Sequence, residues 1–169
     1  MSLKVDRGRT LARSQALQLL FQAEALGVSV DTVLAGDYLI SKGPLSPYAE
    51  ELARGCYANR MRIDAALQAV SQNWRLSRMP GADRNLLRLA VYEMRFSPEP
   101  IEDAVVINEA VEIAKAYGTD ESASFVNGVL GRIARSERLP LFSEDVADDS
   151  SAAEGDQAAD GAISSEAEL

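Results

Sequence analysis

The sequence predicts an all-α domain followed by a disordered acidic tail. Three observations lead there. Apolar residues recur at helical spacing in seven successive segments, each segment is bounded by a glycine, a proline or a capping residue, and no run alternates apolar and polar residues over strand length. The first helix is expected over residues 9–26, with Ala12, Ala16, Leu19, Leu20 and Ala23 inward, Ser14, Gln15, Gln18 and Gln22 on the polar side, and Gly27 ending the run. Asp31 is the expected cap of a second helix reaching residue 40. Lys42, Gly43 and Pro44 form a turn. Ser46 and Pro47 then read as N-cap and first helical residue, with Glu50 and Glu51 in the opening turns and Tyr48, Leu52 and Cys56 on one face.

A break near Asn59 separates the third helix from a fourth, whose stripe is Ile63, Leu67, Val70 and Trp74. Met79, Pro80 and Gly81 break the chain again. Asp83 is the expected cap of a fifth helix through Phe96, with Leu86, Leu87, Ala90, Val91 and Met94 inward. Ser97, Pro98, Glu99 and Pro100 make a rigid connector. The sixth helix covers residues 102–117 with Ile107, Ala110, Val111 and Ala114 as its stripe. Gly118 closes it and Thr119 caps the seventh, which runs to about residue 138 and buries Val126, Val129, Leu130 and Ile133. From Pro140 onward the pattern collapses into Ala, Ser, Gly and 9 acidic residues, too little apolar surface to offset ordering entropy. The expected division is a helical domain over residues 1–139 and an acidic disordered tail over residues 140–169.

Composition narrows the function classes. The 169 residues are 47% hydrophobic and 25% charged, enough for one packed core. No apolar run approaches bilayer-spanning length and the N-terminus lacks the apolar core of a secretory signal, so a cytoplasmic protein without membrane partners is expected. The single cysteine, Cys56, excludes an intramolecular disulfide and fits a reducing compartment. There is no histidine, which removes Ser/His and Cys/His nucleophiles and imidazole metal sites. Phosphate-cradling glycine loops are absent as well. Neither an enzyme nor a cofactor is expected.

The formal charge of −9 is unevenly placed. Residues 1–138 hold all 17 Lys and Arg and 17 of the 26 acids, so the body is neutral and the whole excess lies in the tail. Arginine dominates the bases, a bias that suits phosphate and base contacts. Lys4, Arg7, Arg9 and Arg13 face only Asp6 in the first 13 residues, the electrostatic footprint of nucleic-acid binding or of a solvated helix start. Arg13, Leu17 and Phe21 follow one edge of the first helix, cationic at its start and aromatic at its end. That pairing suits an unpaired RNA base, and equally suits a core margin. Lys115, Tyr117, Gly118, Thr119, Glu121 and Phe125 cluster at the junction of helices six and seven. They combine stacking faces, free helix N-terminal amides and an acid, or they form an ordinary glycine-capped hairpin.

Four segments carry a resemblance. They are Ala12-Arg13-Ser14-Gln15-Ala16-Leu17-Gln18-Leu19-Leu20-Phe21, Leu87-Arg88-Leu89-Ala90-Val91-Tyr92-Glu93-Met94, Val106-Ile107-Asn108-Glu109-Ala110-Val111-Glu112-Ile113-Ala114-Lys115 and Phe125-Val126-Asn127-Gly128-Val129-Leu130. In this order, over residues 7–136, the chain resembles the bacterial transcription antitermination factor NusB family. The same blocks occur in the NusB-like domain of some ribosomal RNA methyltransferases, but with these 169 residues the stand-alone factor is the expectation. The resemblance implies about seven helices in two small packed bundles. It also implies binding of single-stranded boxA RNA in ribosomal RNA leader transcripts together with NusE, a ribosomal small-subunit protein, and indirect contact with the RNA polymerase elongation complex. The pair promotes processive transcription of ribosomal RNA operons.

By the same resemblance, RNA is held by Arg7, Arg9, Arg13 and Phe21 from the arm and first helix, and by Lys115, Tyr117, Glu121 and Phe125 from the second cluster. The family often has tyrosine at the Phe21 position, so stacking is retained here without the phenol. Asp83 matches an acidic partner-binding position on the NusE-facing side, a role compatible with capping. A competing expectation is a helical protein-interaction scaffold that binds NusE without sequence-specific RNA recognition. The acidic tail is expected either to compete with RNA for the N-terminal arginines or simply to solubilise the chain.

Overall fold

The computed structural model describes residues 8–136. The basic arm through Arg7 and the expected tail lie outside the described residues. Seven α-helices appear in order: α1 (Gly8–Leu26), α2 (Val30–Ala35), α3 (Pro47–Ala58), α4 (Arg60–Val70), α5 (Gly81–Val91), α6 (Asp103–Tyr117) and α7 (Asp120–Arg135). A 3₁₀ turn, Leu76–Arg78, precedes α5, and a π-helical segment, Tyr92–Phe96, continues it. No strand occurs among the described residues.

α5 is the axle of the fold. Leu86, Leu87, Leu89, Ala90 and Val91 are all buried and give the helix a wide apolar face, while Arg84 and Arg88 on its other side pair with Glu24 and Asp64. On one side it meets α1 and α3, and α2 packs on those two. On the other it meets α4, α6 and α7, with α6 and α7 forming an antiparallel pair. The buried alanines Ala12, Ala16 and Ala23 let α1 approach its neighbours closely. Gly27, at φ 66°, ends α1 with paired hydrogen bonds from Gly27 N to Glu24 O and Val28 N to Ala23 O, a left-handed glycine cap.

The sequence-based elements are revised at α2, α4 and α5, and α7 ends at Arg135, short of residue 138. α2 is capped by Ser29, whose hydroxyl accepts from Thr32 N, and it stops at Ala35 instead of residue 40. Asp31 sits inside its first turn, paired with Arg54 at 2.8 Å. On α1, Gln15, Gln18 and Gln22 project along one helix edge and take up the backbone of the non-helical stretch between Leu39 and Ser46 that follows α2. Gln15 donates to Lys42 O and Pro44 O and accepts from Ser46 N, each at 2.9 Å. Gln18 accepts from Ser41 N at 2.7 Å, and Gln22 accepts from Leu39 N at 2.8 Å. These amides replace the helical hydrogen bonds the segment forgoes.

Second, α4 ends at Val70, so Trp74 is not part of its stripe; it lies beyond the helix and is 56% exposed. Third, Asp83 does not cap α5. Pro80 occupies the N-cap position, and Asp83 lies in the first turn, accepting from Ser122 Oγ of α7 at 3.2 Å. Arg84 closes the approach to α5 instead, donating to Leu76 O and Met79 O at 3.1 and 2.7 Å. The expected caps Ser46 and Thr119 are in place, each accepting from a backbone amide of its own first turn at 3.2 Å. Gly55 of α3 is a close-approach position: a Cβ there would stand 2.0 Å from the Tyr92 hydroxyl.

Candidate nucleic-acid interface

α1 contributes both ends of the candidate surface. At its start Arg9 is exposed, with its guanidinium 5.0 Å from the centre of the Tyr48 ring. One turn on, Arg13 turns inward. It is 5% exposed and forms a two-pronged ion pair with Glu93, Nε to Oε1 at 2.7 Å and Nη2 to Oε2 at 2.9 Å. Glu109 lies 3.6 Å from its Nη1, and the Tyr48 hydroxyl donates to Glu93 at 3.0 Å. Burial opposes the charge on Arg13, but the Glu93 hydrogen bonds and negative charge outweigh it and hold the guanidinium pKa above its ordinary value. Burial first, and then Glu93, push the Tyr48 phenol up to about 12. Arg13 therefore fastens α1 to the π segment and to α6; it does not present its charge to solvent. The sequence marked Arg13 as cationic but held no sign that Glu93, 80 positions away, would be buried opposite it.

At the other end, Phe21 is 47% exposed. Its ring lies over Gly81, where a Cβ would meet Phe21 Cε2 at 3.0 Å. The second cluster comes to meet this edge. Tyr117, the last residue of α6, accepts from Gln18 Nε2 at 2.7 Å and shares a hydrogen bond with Ser14 Oγ. Its hydroxyl is thereby tied to the middle of α1 while the side chain stays accessible. Gly118 permits the turn that follows, since a Cβ would stand 2.8 Å from Ser122 Oγ. Ser122 donates to Asp83, and Asp83 shares the first turn of α5 with Gly81 beneath Phe21. The contacts form a closed circuit: α1 to Tyr117, Tyr117 through Gly118 to Ser122, Ser122 to α5, and α5 back to Phe21.

Lys115 and Glu121 are exposed on either side of this junction, and Lys115 is 3.7 Å from Glu112. Phe125, one turn after Glu121, is half-buried and meets Trp74 edge to face with ring centres 6.0 Å apart. Sequence reasoning placed Trp74 in a core stripe. The signal against that was its setting, a polar run of Ser71, Gln72 and Asn73 before it and Arg75 after it. Arg7 lies outside the described residues.

Residues 10–135 match the sequence model of the NusB family. The chain belongs to the NusB family. It is 46% identical over 132 residues to the transcription antitermination protein NusB of Bdellovibrio bacteriovorus, covering 75% of this chain and 95% of that one. The NusB protein of Desulfitobacterium hafniense is 46% identical over 133 residues, covering 76% and 88%. Among solved structures, T. maritima NusB superposes with a TM-score of 0.65 at 37% identity, covering 78% of this chain and 93% of that one. A chain from a complex of the antitermination factors NusB and NusE with dsRNA gives 0.58 at 27% identity, covering 74% and 94%. The two-bundle arrangement around α5 is thus the NusB fold. No helix among the described residues is long and apolar enough to cross a membrane.

Proposed function

We propose that this chain is a transcription antitermination factor that binds boxA RNA of ribosomal RNA leader transcripts together with NusE and promotes processive transcription of ribosomal RNA operons. The observation that carries the reading is the tether of Tyr117 to Ser14 and Gln18. It joins the α1 edge to the α6–α7 junction, so Phe21, Tyr117 and Phe125 offer ring surface along connected elements. That a relative of the same fold has been seen with both NusE and RNA supports the assignment of partners. Arg9, the arm bearing Arg7, and Lys115 supply positive charge for phosphates, and Glu121 accepts from a base amino group. Arg13 holds α1 in position. Asp83 faces NusE. The chain acts as a binding factor in the cytoplasm and not as an enzyme, with residues 1–139 as the functional domain.

RNA binding measured with and without NusE across a salt series tests this. Affinity for boxA exceeds that for a scrambled strand, and its logarithm falls by about 0.7 per phosphate contact for each tenfold rise in salt. Equal affinity for both sequences with NusE present overturns it. A scaffold that binds NusE alone is the second reading, favoured by the internal neutralisation of Arg13. It expects Phe125→Ala to leave RNA affinity unchanged.

A further inference from the structure

A second aromatic feature lies one step beyond the residues assigned above. Between the end of α4 and the outer face of α7 is a cleft of about 240 Å³. Trp74 and Phe125 form aromatic wall, Arg132 stands at the rim, and Ser71, Asn73 and Ser124 supply polar groups. No carboxylate lines it. Arg132 is anchored there by donating to Val70 O at 3.1 Å. Ser71 is 3% exposed, and its hydroxyl is the one buried side-chain polar atom without a hydrogen-bond partner among the described residues. An orphaned buried hydroxyl costs stability unless a ligand or solvent satisfies it. A Cβ built on Gly128, which also lines the cleft, meets nothing within 4 Å, so the space beside it is open.

We infer that this cleft receives an unpaired nucleobase, stacked at Trp74 with its edge toward the Ser71 hydroxyl and its phosphate beside Arg132, so that a bound RNA strand continues from the α6–α7 junction past Phe125. The inference rests on the RNA-binding reading and extends it by one subsite. The chemistry selects the occupant. An aromatic wall, small polar groups at hydrogen-bonding depth, a guanidinium and no acid match a base with its phosphate. The neighbouring segment agrees, since residues 71–78 contain no acid. The cleft beside Glu24 and Asp64 differs, because there the arginines Arg84 and Arg88 are already paired with those carboxylates.

Trp74 is the only tryptophan of the chain, so its emission reports on this cleft and the Phe125 ring beside it, and the variants below separate the two. The full chain is titrated with single-stranded boxA RNA, and separately with NusE, reading RNA anisotropy and tryptophan emission together. Trp74 emission is expected to change along the same isotherm as RNA anisotropy. Trp74→Ala and Gly128→Leu each weaken RNA binding by roughly fivefold to a hundredfold, the span of base–aromatic stacking. Ser71→Ala weakens it at least about twofold with no fall in Tm, because the hydroxyl it removes has no partner to lose. RNA binding with unchanged emission and wild-type affinity in all three variants overturns the subsite while leaving the junction assignment standing. Emission that responds to NusE and not to RNA also overturns it, giving the cleft to the protein partner. Failure to bind RNA under any condition removes the underlying reading and the subsite with it.

Discussion

Arg13 and Glu93 show how a charged residue at a candidate interface is put to structural use. Both are buried, and each satisfies the other. Truncating one member of such a pair leaves an uncompensated charge in the interior, so Arg13→Ala is expected to lower unfolding free energy by about 3–5 kcal/mol in chemical denaturation. Weak RNA binding by that variant then reports on folding, and denaturation has to be measured beside it. Asp83 behaves differently. Burial raises its carboxyl pKa from the ordinary 3.8, and the Ser122 hydrogen bond only partly opposes this. A carboxyl whose folded value is raised binds its proton more tightly in the folded chain. Stability is then greatest below the unfolded value and falls as pH rises through the folded one. Asp83→Asn is expected to remove that fall, flattening the denaturation midpoint as pH rises above the ordinary 3.8, and to weaken NusE binding. A variant with the wild-type pH profile contradicts the burial argument.

At the scale of elements, periodicity locates the helices and misses what pairs with their polar sides. The apolar residues of α1, α3, α5 and α7 lie inward much as their spacing requires. Gln15, Gln18 and Gln22 also recur at helical spacing, but as polar residues they read as solvated. Their loop partners between Leu39 and Pro44 become visible only when the chain is folded. Trp74 misled for the opposite reason: a large apolar residue continued the α4 stripe in register although the helix had ended at Val70. Nor does any pattern announce the π segment after α5, in which Tyr92, Glu93 and Met94 are all buried. Gly55 is the corresponding hidden requirement on α3. Gly55→Ala forces Tyr92 to move and is expected to cost about 1–3 kcal/mol, read from the urea midpoint. In a Tyr92→Ala background Gly55→Ala is expected to cost less, and an equal cost in both backgrounds contradicts the clash.

Over the whole molecule, net charge is a poor guide. The chain is −9, yet residues 1–138 are neutral, and the arginines among the described residues are distributed among ion pairs, aromatic faces and exposed positions. Motif blocks identified the family because they span helices from both bundles, whereas the interface depends on contacts between helices that no single block contains. The two-partner reading carries a thermodynamic obligation. If NusE tightens boxA binding by some factor, boxA tightens NusE binding by the same factor. Closing that cycle by calorimetry in both orders is expected to give equal coupling; unequal values mean that an additional species takes part.

The Tyr117 tether has a kinetic consequence. Its hydroxyl is fastened to α1 before any ligand arrives, so this part of the surface has no rearrangement to complete during an encounter. Arrival rates are then set by diffusion and charge and vary little among strands of different sequence. Discrimination between them resides in residence time, with the matched strand leaving slowly and the mismatched one quickly.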